Sequence, residues 1–280
     1  MKKIGIIDVG GGTRGIYGAG VFDYLIDHKI EIPYVIGISA GGANVASYIA
    51  KQKGRNYVFY TEYFFEKEYM SVRNFVKNRS YVNLDYVYST LSNSNGKYPL
   101  DYDTFAKSKQ EVYVVATNAF TAEDEYFGKK DVSRDNYTAF CGSACIPIIS
   151  KPYEFRGKYY FDGSISNPIP YEKCFEAGCE KVIVILTRPR TYQKNDDKKK
   201  WLYKTIQKKY PKFVEKLRDR DILYNRKLKE ILKLEKEGKI LIVDPKDTTG
   251  MGTLTKDKEK LKKLYEMGYE DAKKIENFIK

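Results

Sequence analysis

The chain has 280 residues, 42% of them hydrophobic, which is enough to bury one substantial α/β core. It holds no apolar run long enough to cross a bilayer, and the stretch after Met1-Lys2-Lys3 is too short for a signal-peptide core, so a soluble, cytoplasmic protein is expected. The net charge is +13, and a single histidine, His28, excludes most chemistry built on imidazole pairs.

Lys3 to Asp8 is a short apolar run that reads as a buried strand, followed by Gly10-Gly11-Gly12. Ile16 to Asp27 then shows helical spacing through Ile16, Phe22, Leu25 and Ile26. Ile32 to Ile38 is the next strand, and Ala40 to Ala50 the next helix. Strand, helix, strand and helix in succession predict a parallel sheet with helical crossovers.

Between the second strand and its helix stands Gly37-Ile38-Ser39-Ala40-Gly41, a G-x-S-x-G serine at a sharp turn. Serine hydrolases built on that turn normally use a histidine base. His28 closes the first helix, which spans roughly 18–20 Å, and so lies at the opposite edge of the sheet from Ser39. Either Ser39 is not a nucleophile or a carboxylate replaces the imidazole. The rest of the sequence favours the carboxylate.

Gly10-Gly11-Gly12-Thr13-Arg14-Gly15 matches G-x-G-x-x-G literally, but a dinucleotide loop needs an acidic residue near the end of the second strand, and none is there. Beside a nucleophilic serine, the same loop can turn backbone N–H donors toward an oxyanion. Arg14 adds a positive charge or braces the loop. Tyr57 to Leu100 is rich in Tyr, Phe and Asn; it suits a lid or an acyl-chain groove, or plain core packing. Farther on, Tyr159-Tyr160-Phe161-Asp162-Gly163-Ser164 is an aromatic strand ending in Asp-Gly, and Asp162 is a candidate base or a turn aspartate. Asp8 competes for the role, but its place before the glycine loop suits support.

Taken together, Gly-Gly-Gly-Thr-Arg-Gly, then Gly-Ile-Ser-Ala-Gly, then Asp-Gly-Ser resembles the patatin-like phospholipase family over roughly residues 4 to 186. Gly142-Ser143-Ala144-Cys145-Ile146-Pro147 is similar to that family's Ala-Ser-x-x-x-Pro segment, with Gly142 in place of alanine. The resemblance implies an α/β fold with a mostly parallel sheet sandwiched by helices. It implies hydrolysis of lipid acyl esters by a Ser–Asp dyad without a metal or cofactor: Ser39 as nucleophile, Asp162 as general base, and Gly10, Gly11 and Gly12 as the oxyanion hole. Within that hole Gly11 and Gly12 would donate, with Gly10 and Arg14 supporting, and Gly37, Gly41 and Gly163 would shape the turns. The family usually reads Asp-Gly-Gly or Asp-Gly-Ala, so Ser164 is a departure; its hydroxyl can donate to Asp162 and weaken it as a base.

Cys141, Cys145, Cys174 and Cys179 miss zinc-knuckle spacing and read as small buried thiols, Cys145 lying near the site. Lys181 to Leu186 continues the sheet. Residues 191–280 hold 26 Lys/Arg against 16 Asp/Glu, while the other 190 residues carry a net of only +3. This gives a catalytic domain at 1–190 and a basic, mainly helical extension at 191–280 packed on it, similar to the extension of one bacterial branch of the family. Lys/Tyr-rich helix is expected from Lys198, a long helix from Pro211 to Gly238, a strand at Ile240 to Val243, and a final helix at Asp257 to Lys280. The basic surface suits a solvated face, or peripheral contact with the anionic inner face of a membrane; nucleic acid is not expected, since no binding motif accompanies the charge. The same acyl-enzyme would also permit acyl transfer to another acceptor, and an inactive site would leave a lipid- or nucleotide-binding protein. Headgroup, acyl length and oligomeric state are not encoded in any motif.

Overall fold

The computed structural model describes residues 3–195 and 200–280; the expected helix onset at Lys198 falls outside them. The strands are β1 (Ile4–Asp8), β2 (Tyr34–Ile38), β3 (Glu111–Asn118), β4 (Asp124–Gly128), β5 (Tyr153–Phe155), β6 (Lys158–Asp162), β7 (Lys181–Ile185) and β8 (Ile240–Val243). Helices α1 (Ile16–Asp27), α2 (Ala40–Ile49), α3 (Arg55–Thr61), α4 (Val72–Asn78), α5 (Tyr102–Lys107) and α6 (Thr138–Ala144) fill the first half. They are followed by α7 (Tyr171–Glu176), α8 (Lys204–Gln207), α9 (Pro211–Lys236), α10 (Lys258–Asp271) and α11 (Lys274–Ile279).

The strands form one sheet in the order β5-β6-β3-β2-β1-β7-β8, with β4 also paired to β3. β3, β2, β1, β7 and β8 run parallel, and the antiparallel strands gather around β3. Both faces are covered, which is why the central strands read as continuous apolar runs rather than alternating ones. Ile6, Val35 and Ile183 face a core shared with α1, α2 and α6; Ile7, Ile36 and Val184 face one shared with α9. The α/β class and the helical C-terminal part agree with the sequence.

Register along β3 decides where the site forms. β2 runs beside β3 as far as the pair Ile38–Val115. β4 occupies the other side of β3 over Tyr113 to Thr117, so β6, which pairs with Ala116 to Asn118, must lie on the side β2 has just left. Asp162 sits opposite Ala116, one residue past the partner of Ile38. The ends of β2 and β6 therefore meet at one gap.

Residues 191–280 are more than helices laid on a finished domain. β8 joins the sheet beside β7, and α10 crosses α1 at close range. A Cβ on Gly20 would lie 2.1 Å from the Tyr265 carbonyl oxygen, and one on Gly268 would lie 2.1 Å from that of Tyr17, so each helix presents a glycine to the other's backbone. Asp23, buried in α1, accepts from the Tyr265 hydroxyl at 2.7 Å and from Gly54 N–H at 3.0 Å. The final helix expected over 257–280 is divided into α10 and α11, because the chain turns at Ala272 and Lys273 to bury Ala272 and Ile275. Among the described residues, no helix is long and apolar enough to cross a membrane.

Candidate active site

Ser39 caps α2 with φ 56° and ψ −126°, a left-handed conformation that a non-glycine residue holds only when its surroundings impose it. The imposing contacts come from its own turn and from α6. Ser39 N–H donates to the Ser143 hydroxyl at 3.0 Å, and its carbonyl accepts from Gly42 N–H at 2.9 Å. The turn is also tight: a Cβ on Gly37 would stand 2.6 Å from the Gly41 carbonyl oxygen. Gly41 in turn backs onto the Asp8 carbonyl.

The Ser39 side chain lies beside the Asp162 carboxylate, near enough to bear on its ionisation. Asp162 is buried and fixed from several directions: its N–H donates to the Cys145 carbonyl at 2.9 Å, its carbonyl accepts from Thr117 Oγ1 at 2.8 Å, and its Oδ1 accepts from Ser164 N–H at 2.9 Å. Gly163 follows, pressed against the Val115 carbonyl. Burial pushes the Asp162 carboxyl above its ordinary range; the neighbouring Ser39, the Ser164 N–H and the charge of Lys194 pull it back. The Ser164 bond comes from its backbone N–H, which a glycine or alanine at that place would also supply.

The glycine loop lies across the same opening. Gly10, Gly11 and Gly12 all have positive φ, at 66°, 126° and 62°, and a Cβ on Gly10 would lie 2.1 Å from the Ile38 carbonyl oxygen. Asp8 supports the loop: Oδ1 accepts from Gly10 N–H and Oδ2 from Asn44 Nδ2, both at 2.8 Å. With its N–H engaged there, Gly10 has none free for an oxyanion. Gly11 and Gly12 N–H carry no partner among the described residues.

Three contacts from the C-terminal segment hold this loop. Thr13 N–H donates to the Thr253 carbonyl at 2.9 Å, Thr13 Oγ1 to that of Gly252 at 3.1 Å, and Arg14 Nη1 to that of Met251 at 3.2 Å. Arg14 is buried, and burial together with the nearby Arg188 brings its guanidinium down to about 10, so it stays charged at neutral pH. It therefore does both things the sequence left open: it braces the loop and holds charge beside it. Thr187 Oγ1 adds a hydrogen bond to the Gly10 carbonyl.

Sequence reasoning missed Thr117, Thr187, Lys194 and the carbonyls of 251–253, which act from outside the motifs. Ser143 lay within a motif but was not given a role. Lys194 is held by reciprocal bonds with Asn225 at 2.9 and 2.8 Å, lies over the Tyr224 ring at 4.3 Å, and its charge is felt at Asp162. Burial, then Arg220, bring its ammonium down to about 8.

His28 is far from this machinery. It caps α1, its ring stacks on Tyr24 at 3.9 Å, and its Nδ1 lies 2.9 Å from the Tyr24 carbonyl. The four cysteines are free and buried. Burial pushes the Cys145 thiol well up, so it stays a thiol. Among the described residues, no group of three or more His, Cys, Asp or Glu could hold a metal ion.

A family model described as patatin-like phospholipase matches residues 9–175, and a second, a domain of unknown function (DUF6363), matches residues 210–280. The chain is 27% identical over 192 residues to the Uncharacterized protein YjjU of Escherichia coli (strain K12), an alignment covering 67% of this chain and 52% of that one. It thus spans about half the length of that relative. The crystal structure of VipD from Legionella pneumophila superposes with a TM-score of 0.50 over 99% of this chain and 67% of its own, at 12% identity, a likeness of fold.

Proposed function

Since the chain belongs to the patatin-like phospholipase family, we propose that it hydrolyses carboxylic esters of lipid acyl groups through Ser39 and Asp162. The observation that carries the reading is a conformationally strained serine set beside a buried carboxylate where the ends of β2 and β6 meet. Ser39 Oγ attacks the ester carbonyl while Asp162 takes its proton. Gly11 and Gly12 N–H receive the oxyanion. Collapse of the tetrahedral intermediate passes the proton to the departing alcohol and leaves an acyl-Ser39. Water, deprotonated by Asp162, attacks that ester, and the acid departs as Ser39 regains its proton. A carboxylate raised by burial is a better base than a solvated one, which compensates in part for the missing imidazole.

Residues 1–190 supply the reacting groups in this reading, and 191–280 form an extension that steadies them. Contact with a lipid surface is supported by the basic excess of that extension and by α4, which exposes Val72, Phe75 and Val76 between Arg73, Lys77 and Arg79. Sedimentation with anionic vesicles, lost in Val72→Asp/Val76→Asp, is the expected result; unchanged binding would remove α4 from this role.

The direct test is fluorophosphonate labelling with the modified peptide located by mass spectrometry. Stoichiometric labelling at Ser39, lost or greatly slowed in Asp162→Asn, is expected. A folded protein that stays unlabelled in the presence of lipid would leave a binding protein with an inactive site.

A further inference from the structure

Behind Ser39 two narrow apolar pockets lie end to end. The first is lined by Ser39 and Ala40 at its mouth, the second by Arg55 and Tyr137 at its inner end, and Ala43, Phe59, Val87 and Tyr88 belong to both. Within the aromatic segment Phe59, Phe64 and Tyr88 line this passage while Tyr86 is packed away from it. A wide π-helical turn at Tyr86–Leu91 carries Val87 and Tyr88 into it.

Arg55 is the anomaly. It is only 8% exposed, yet no carboxylate pairs with it among the described residues. Nη2 donates to Ser92 Oγ at 2.8 Å and to the Tyr98 carbonyl at 3.0 Å, and Nη1 to Ser47 Oγ at a weak 3.4 Å. Three of the five N–H donors of a guanidinium are thus used, and Nε is buried with no partner. The ionisable groups that feel its charge are Tyr98, Tyr88 and Tyr137, all phenols whose own ionisation burial opposes. A guanidinium does not shed its proton at physiological pH, so a net cation stands in an apolar wall. Bracing the 92–98 turn needs only the hydrogen bonds already made and the Tyr98 ring that faces the guanidinium at 5.5 Å; no anion meets the charge among the described residues.

We propose that the inner pocket receives the far end of the substrate's acyl group, and that this end carries a carboxylate which Arg55 binds. This rests on the reading of Ser39 as the acyl-accepting serine. The ester carbonyl would sit at Ser39, the chain would run along α2 past Ala43, and its terminal carboxylate would meet the unused donors of Arg55. Ser47, which Arg55 touches, lies two turns along α2 from Ser39, a rise of about 12 Å. Acyl groups that reach this distance are selected, and a methyl terminus leaves the cation unpaired.

The test compares 4-nitrophenyl octanoate with 4-nitrophenyl hydrogen octanedioate. Wild type is expected to favour the octanedioate in kcat/KM, and Arg55→Gln to lose that preference by about tenfold, with Arg55→Lys regaining part of it. A preference that is absent in wild type, or unchanged in Arg55→Gln, overturns the proposal. Calorimetry on Ser39→Ala, with Arg55 intact, gives a reading independent of turnover and of whether the Arg55 variants fold. Monomethyl octanedioate should bind more tightly than methyl octanoate, and equal or weaker binding overturns the proposal. If neither chromogenic ester is cleaved, the Ser39–Asp162 reading fails while this binding comparison still judges Arg55.

Discussion

The segment from β1 to α2 and the segment from Thr187 to Gly268 converge on one loop by opposite means. In the first, nearby residues make the site: Asp8 holds Gly10, and Ser39 is strained by the turn between β2 and α2. In the second, four residues more than 170 positions away hold Gly10, Thr13 and Arg14: Thr187 through its hydroxyl, and Met251, Gly252 and Thr253 through their carbonyls. Chemistry written in side chains at fixed spacing makes motifs. Support given by carbonyls makes none, because every residue has one.

Five substitutions sharpen or break this contrast. The largest effect is expected within the first segment and its partner strand: Ser39→Ala or Asp162→Asn should lower kcat/KM for an acyl ester by about 10³-fold or more. A loss of only a few-fold in Asp162→Asn would remove the carboxylate as the base. Gly268→Val places a branched side chain against the Tyr17 backbone and should lower unfolding free energy by about 3 kcal/mol or more, measured by urea titration. Its residual activity should also fall at temperatures where the fold persists, since α10 carries the 251–253 segment; full activity there would show that the glycine loop stands without it. A smaller change is expected in Lys194→Met. Removing a positive neighbour raises the Asp162 carboxyl further, so the acid limb of kcat/KM moves to higher pH. The wild type should also show a second inflection near 8, where Lys194 gives up its proton, and the variant should lack it. Superimposable profiles would detach Lys194 from the site. His28→Ala should leave both limbs in place; an acid limb that disappears with it would overturn the dyad.

The sequence was most legible where backbone geometry leaves a residue signature. Gly10 to Gly12 and Gly37-x-Ser39-x-Gly41 mark positive φ and close approach, and the apolar runs of β1, β2 and β7 mark a sheet covered on both faces. Pro211 and Gly238 bracketed α9 because each suits one helix end. The meeting of Ser39 with Asp162 was legible only through family resemblance. Physically it depends on β6 taking over the edge of β3 that β2 leaves, a pairing between residues 45 positions apart along the chain, Thr117 and Asp162 being joined across it. Lys194 looked like one cation among many, since its burial depends on Tyr224 and Asn225 in another element. Arg55 was silent for the converse reason: nothing near it in sequence shows that it lacks an anion.

The enclosed carboxylates give the molecule an unusual proton ledger. Asp8 and Asp23, each raised to about 6 by burial, take up protons in a range where a solvated carboxylate does not. Both bind a proton more readily folded than unfolded, so ionising them weakens the fold by on the order of 2–3 kcal/mol each, fully above pH 6 and not at all below about 4. Mild acidification between those limits should therefore tighten these two places in the fold, and calorimetric melting of Asp23→Asn should show a flatter dependence on pH across that interval than wild type.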